Sequence, residues 1–250
     1  MPNSEKVERQ SDKMNTASNV ARGSPAIGRT ARTWMTAAVS LALALTSPAQ
    51  DLAPQSQLKM TKIVCRYFGP QIAPGSPDAQ VNTIYRAGDK YDRLEQSSDP
   101  AQKTGMLQIT SEPDAWSVNL TDQTAVHMLD KGPDFSVHRY IIWSQPSRLP
   151  DAAFLDLEFG KEAIFVRQAQ VKEIGMRKIG NTEAKAFLAK GGDRNVTLFF
   201  DPVTDKPLRI VVTKNGKPDM AVEYLEYETG LPFDPALFEL PKGIKITEQR

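Results

Sequence analysis

Beyond residue 58, apolar and polar positions alternate with a period of two in short runs bounded by Gly, Pro, Asn and Asp. That is the pattern of strands that bury one face. Residues 60–68 read as a first strand, and 69–78 is a loop by its Pro and Gly content. Residues 81–86 and 90–95 flank Ala87-Gly88-Asp89, a hairpin signal. The clearest block is four strands at 105–111, 115–120, 124–129 and 138–143. Their connections, Glu112-Pro113-Asp114, Thr121-Asp122-Gln123 and Lys131-Gly132-Pro133-Asp134, are short enough to force antiparallel neighbours. Residues 151–168 hold the helical material, one or two short helices broken near Gly160. Strands resume at 169–178, 183–189, 196–201, 208–214 and 220–227, with Asn215-Gly216 as a strong hairpin turn between the last two. The tail, 231–243, is punctuated by Pro and leads into a short strand. The fold expected is mainly β with a small helical insertion (α+β). It has about ten antiparallel strands, too little helix for a βαβ fold, and a sheet large enough that it must curl or pack on itself.

Register follows from the apolar pattern, because a one-residue slip turns every side chain over. A two-residue turn at Pro113-Asp114 sets Leu107 opposite Leu120 and Ile109 opposite Val118. Carried through Asp122-Gln123, the pairing sets Val118 opposite His127 and Trp116 opposite Leu129. A hairpin centred on Gly132-Pro133 then brings His127 opposite His138 and Ala125 opposite Tyr140. One face gathers Leu107, Ile109, Trp116, Val118, Leu120, Leu129, Tyr140 and Ile142. These eight are the candidate ligand-binding residues. Such a face is either a core beneath the helical insertion or the wall of an apolar cavity. The other face carries Gln108, Thr110, Ser117, Asn119 and Arg139, with Met106, Met128, Ile141 and Trp143 among them.

Composition narrows the function classes. The 250 residues carry 31 Lys and Arg against 30 Asp and Glu, so no polybasic field exists for nucleic acid. One cysteine excludes a disulfide framework and a Cys-rich zinc site, and Cys65 reads as a buried small hydrophobe on a strand. His127 and His138 are the only histidines; zinc needs three or four ligands, and no Asp, Glu or Cys falls alongside them in the expected register. No metal or cofactor is expected. G-x-S-x-G, H-E-x-x-H and a phosphate-cradling glycine loop are all missing, so the chain reads as a binding protein rather than an enzyme. Glu158 and Glu162, four residues apart, read as a solvated helix face.

Residues 14–50 contain no Asp or Glu but include Arg22, Arg29 and Arg32, ahead of an apolar stretch at 34–45 and then Ser47-Pro48-Ala49. This reads as an export signal cut after Ala49, with Met14 as an alternative start because Glu5, Glu8 and Asp12 precede it. The expected organisation is a leader at 1–49 and one domain at 50–250, periplasmic or secreted. No apolar run is long enough for a transmembrane helix in the mature chain.

The C-terminal third resembles a known family. Val196-Thr197-Leu198-Phe199-Phe200-Asp201-Pro202 followed by Lys206-Pro207-Leu208-Arg209 is similar to a strand–turn segment of periplasmic lipoprotein-carrier (LolA-like) proteins. Glu223-Tyr224-Leu225-Glu226-Tyr227 with Phe238-Glu239-Leu240-Pro241-Lys242-Gly243 resembles that superfamily's closing strand and ending, and residues 87–93 its early hairpin. The resemblance implies a curved antiparallel half-barrel, open on one side and lidded by short helices, with an apolar concave face that holds a lipid or a lipoprotein acyl chain. It also implies an Arg anchoring the lid, which the sequence does not assign, and an amphipathic first helix that is missing or very short at 51–59. The alternative is an envelope interaction or sensor module with a filled half-barrel, docking an envelope protein through Met128, Ile141 and Trp143.

Overall fold

The computed structural model describes residues 58–96, 105–144, 149–169 and 171–248. The expected leader, its cleavage site and the possible first helix up to residue 57 lie outside these residues.

The period-two runs become strands that pair mostly with their neighbours in sequence, as their short connections require. They are β1 (Lys59–Phe68), β2 (Val81–Ala87), β3 (Tyr91–Gln96), β4 (Met106–Ser111), β5 (Asp114–Asn119) and β6 (Thr124–Leu129), then β7 (Trp143–Ser144) and β8 (Leu149–Pro150). After the helix α1 (Glu162–Gln168) come β9 (Lys172–Ile179), β10 (Thr182–Gly191), β11 (Arg194–Phe200), β12 (Pro207–Lys214), β13 (Lys217–Pro232) and β14 (Lys245–Glu248). Among the described residues one sheet of twelve strands runs β14-β6-β5-β4-β3-β2-β1-β13-β12-β11-β10-β9, and β7 and β8 form a separate pair. About ten strands were expected. The sheet has twelve: the tail strand β14 lies beside β6 as the one parallel pairing, and both meanders, β1–β6 and β9–β13, join edge to edge through β1 and β13.

Turn chemistry fixes the hairpins. Lys214 pairs with Lys217 across Asn215-Gly216, whose φ values of 50° and 75° are the two left-handed positions of a type I′ turn. Gly191, at the end of β10, is needed for a close approach: a Cβ there would sit 2.4 Å from the Ala153 Cβ and 2.8 Å from the Phe154 ring.

The register of β4, β5 and β6 corrects the expected one. Leu107 pairs with Val118 and Ile109 with Trp116; Trp116 pairs with His127 and Val118 with Ala125. Each partner lies two residues from the expected one. The β4–β5 turn is Glu112-Pro113, with Ser111 opposite Asp114, and the β5–β6 connection has four residues, 120–123. Its first corner is closed by the Asn119 side chain, which accepts from the N–H of Thr121 and of Asp122 at 2.9 and 3.1 Å. A slip of two leaves every side chain on its expected face, so the alternation survives.

Residues 138–143 are not a further strand of this sheet. The chain leaves β6, and Val137 donates to the Asp89 carbonyl at 2.7 Å. It then crosses the sheet face as a lid, residues 137–144 and 149–169, which contains the bridge between Tyr140 and Glu158, the β7–β8 pair, a 3-10 turn (Ala152–Phe154) and α1. His138 therefore does not face His127, nor Tyr140 Ala125. The lid drives Ile141, Ile142, Phe154, Leu157, Phe159 and Phe165 into the main core against β1, β2 and β10–β13. A second core lies on the opposite face of β1–β6. There Met60, Ala87, Leu107, Ile109, Val118 and Ala125 are covered by Phe238 and flanked by Leu231, Phe233, Leu237, Leu240 and Ile244. Among the described residues no helix is long and apolar enough to cross a membrane.

Candidate functional site

Polar contacts fasten the lid to the sheet. Arg86 of β2 is buried and donates from Nη1 to the Phe159 carbonyl at 2.6 Å and from Nη2 to the Val137 carbonyl at 2.9 Å; its Nη1 also lies 3.0 Å from Glu158 Oε2. Arg86 thus ties the lid to the sheet, a role the sequence alone did not assign. Reaching the other way, Arg139 of the lid forks onto the buried Asp92 of β3 and donates from Nη1 to Gln108 Oε1 at 2.9 Å. Glu158 also receives His138 Nδ1 at 3.0 Å and the Arg139 N–H at 3.2 Å. Burial pushes the Glu158 carboxyl up, but the His138 hydrogen bond and the Arg86 and Lys161 charges outweigh it and hold it below the usual range.

At the foot of α1, Glu162 is fully buried. Tyr224 donates to its Oε1 at 2.8 Å, Tyr227 to its Oε2 at 2.8 Å, and the Gly160 N–H to Oε1 at 3.1 Å. Burial raises its carboxyl above the usual range despite these bonds. Glu158 and Glu162 are thus interior groups, not the solvated helix face expected of them. The helix begins only at Glu162, so the two never share a helical face.

Between the lid and β2–β5 the same sheet face stays open. A cavity of about 700 Å³ is lined by Tyr67, Ile84, Leu94, Trp143 and Phe159, with Asn82, Gln96, Gln108, Ser117 and Arg139 among its polar walls and Asp78 and His138 also bordering it. A second hollow of about 620 Å³, over β4–β6, shares Pro77, Gln96, Met106 and Ser117 with the first and adds Val118, Ala125 and Val126. Together they form one groove, of the size and mixed lining that small-molecule sites have. Tyr67 and Trp143 stack edge to face at 4.5 Å, and His138 lies flat on Tyr140 at 5.6 Å, so the walls at this end are aromatic.

The eight candidate residues divide between faces. Leu107, Ile109 and Val118 are 1% exposed in the second core, with Trp116 and Leu120 packed against it. Ile142 is in the main core, Leu129 is 58% exposed, and Val118 and Tyr140 border the groove. Of the surface patch, Met128 is exposed, Ile141 is fully buried and Trp143 packs on the main core. The histidines each have a carboxylate the expected register did not give them: Asp114 at 2.7 Å from His127 Nε2, and Glu158 beside His138. Among the described residues no three His, Cys, Asp or Glu side chains gather as a metal site needs. What sequence reasoning missed is the groove floor, Met106, Gln108 and Ser117. Its signal was present, as the face on which polar residues and methionines mix.

No family model matches the chain, and no curated protein matches it. Similar solved structures include an uncharacterised conserved protein from Thermus thermophilus (12% identity over 76% of this chain and 90% of that one, TM-score 0.44). A LolA superfamily protein from Nitrosomonas europaea matches at 10% identity over 74% and 91%, with a TM-score of 0.28. MucB in complex with MucA matches at 11% identity over 77% of this chain and 58% of that one, with a TM-score of 0.38. The chain spans only 32% of another similar structure, PNGF-II. All of these likenesses lie at 12% identity or below, with TM-scores under 0.5.

Proposed function

We propose that this chain is a non-enzymatic binding or carrier protein of the periplasm for a lipid or another apolar ligand, held in the groove between the lid and β2–β6. One observation carries the reading: the groove stays open beside a well-filled core, with Tyr67, Ile84, Leu94, Met106, Trp143 and Phe159 along it. An apolar ligand entering there removes Met106, 40% exposed, and its neighbours from water at about 25 cal/mol per Å². The open groove supports a carrier over a sensor module with a filled half-barrel. The acid-free, Arg-containing stretch from residue 14 to 50, with its apolar run at 34–45, supports export.

The test is titration with N-phenyl-1-naphthylamine, whose fluorescence rises in apolar sites, and native mass spectrometry of the freshly purified protein. Expected are saturable binding at one site per chain and its loss in Met106→Glu, a change at an exposed position that spares the cores. No saturable binding and no co-purified lipid would overturn the proposal.

A further inference from the structure

The groove floor changes character where its two hollows meet. Gln108 of β4 and Ser117 of β5 are direct cross-strand partners on the open face. Inward of them the wall is Tyr67, Ile84, Leu94 and Phe159; outward the apolar side chains on the same face are Met106 and Val126. A polar strip therefore crosses the groove midway, with apolar wall on both sides. A single-chain lipid with its polar group at one end cannot match that order, because either its chain covers the strip or its head lies on apolar wall.

The charges near the strip are already matched. Arg139 is forked onto Asp92, while Arg86 and His138 meet Glu158. Asp78 also borders the groove. Among the described residues that line it, a carboxylate or phosphate arriving there finds no cation that lacks a counter-charge, and burying an unmatched ion is costly. The Gln108 amide oxygen accepts from Arg139, leaving its NH2, a donor-only group, without a partner among the described residues. The Ser117 hydroxyl is likewise unpartnered there. A ligand covering these donors must supply an acceptor or leave them stranded.

Resting on the carrier reading above, we propose that the groove takes a neutral two-armed lipid, whose ester or amide carbonyl sits between its apolar arms over Gln108 and Ser117. The arms lie in the two hollows, and the carbonyl oxygen accepts from the Gln108 amide N–H and the Ser117 hydroxyl.

Two esters of identical formula, octyl octanoate with the carbonyl at mid-chain and methyl pentadecanoate with it at one end, separate this from simple hydrophobicity. Each competes against N-phenyl-1-naphthylamine, as does hexadecanoate. The mid-chain ester is expected to compete about fivefold better than its isomer, the worth of one neutral hydrogen bond, and better than the carboxylate. Gln108→Leu and Ser117→Ala should each bring the two isomers to within about twofold. Ser117→Ala leaves every charged contact in place and carries the test if Gln108→Leu loosens Arg139. Equal competition by the isomers, stronger competition by the carboxylate, or a preference that survives Ser117→Ala would overturn the two-armed ligand while the carrier reading stands. Absence of probe binding to the wild-type protein overturns both.

Discussion

Glu162 is held by phenol and peptide donors rather than by a cation, so its charge is what burial penalises. With the folded carboxyl above its ordinary value, the folded chain holds more protons than the unfolded one between the two. Its contribution is therefore full at low pH. It is lost as pH rises from the unfolded value, about 4.3, through the raised folded one. Glu162→Gln should raise the Tm at pH 8 and leave it unimproved at pH 4; equal gains at both would refute the assignment. Glu162→Leu strands two phenols and should cost on the order of 1–3 kcal/mol for each. Arg86 is the opposite case, a buried cation between the carboxylates of Glu158, at 3.0 Å, and Asp92, at 3.8 Å. Arg86→Met should destabilise by about 3–5 kcal/mol in urea melts, because Glu158 loses its nearest guanidinium and two lid carbonyls lose their donor. A loss under about 1 kcal/mol would mean that the lid does not depend on it.

Two elements hold the chain in its layers by shape. Gly191→Ala pushes a methyl into Ala153 and Phe154, so the 3-10 turn must lift from β10. The expected loss is about 1–3 kcal/mol by calorimetry, and an unchanged Tm would show that the turn shifts freely. On the opposite face, Phe238→Ala uncovers Leu107, Ile109 and Val118 and should cost about 3–5 kcal/mol without altering probe affinity in the groove, since the sheet separates the two. The strands, their faces and the Asn215-Gly216 hairpin were legible in the sequence because local chemistry decides them. Which face carries the candidate site was not. The more apolar face of β4–β6 looks like a ligand wall, yet it is apolar because the tail covers it, and no local pattern says that residues 231–244 return there. Residues 138–143 alternate like a strand but lie across the sheet, held by tertiary bonds such as Arg139 to Asp92. The two-residue register error came from the turn boundaries, which a Pro between two polar residues does not fix.

At the scale of the whole molecule, the sheet is two meanders joined along one line, β1 against β13, with Lys59 beside Pro232 and Phe68 beside Ala221. Every other antiparallel pairing in the sheet is local; this one spans most of the described chain. It matters for the order of events during folding. Hairpins close in microseconds, whereas a pairing this distant in sequence must close a very long loop first. Until it does, β1 and β13 each present a long bare edge, and Ile63 and Val222, both buried in the finished core, are exposed. Conservative truncation at this line, Ile63→Val or Val222→Ala, should therefore speed unfolding far more than it slows refolding in stopped-flow chevrons, whereas equal effects on both limbs would place the line in the folding nucleus. A chain that closes late along its centre has a long period in which a chaperone, or another copy of itself, competes for the same edges. The time spent waiting for residue 232 then bears on yield as much as the final stability does.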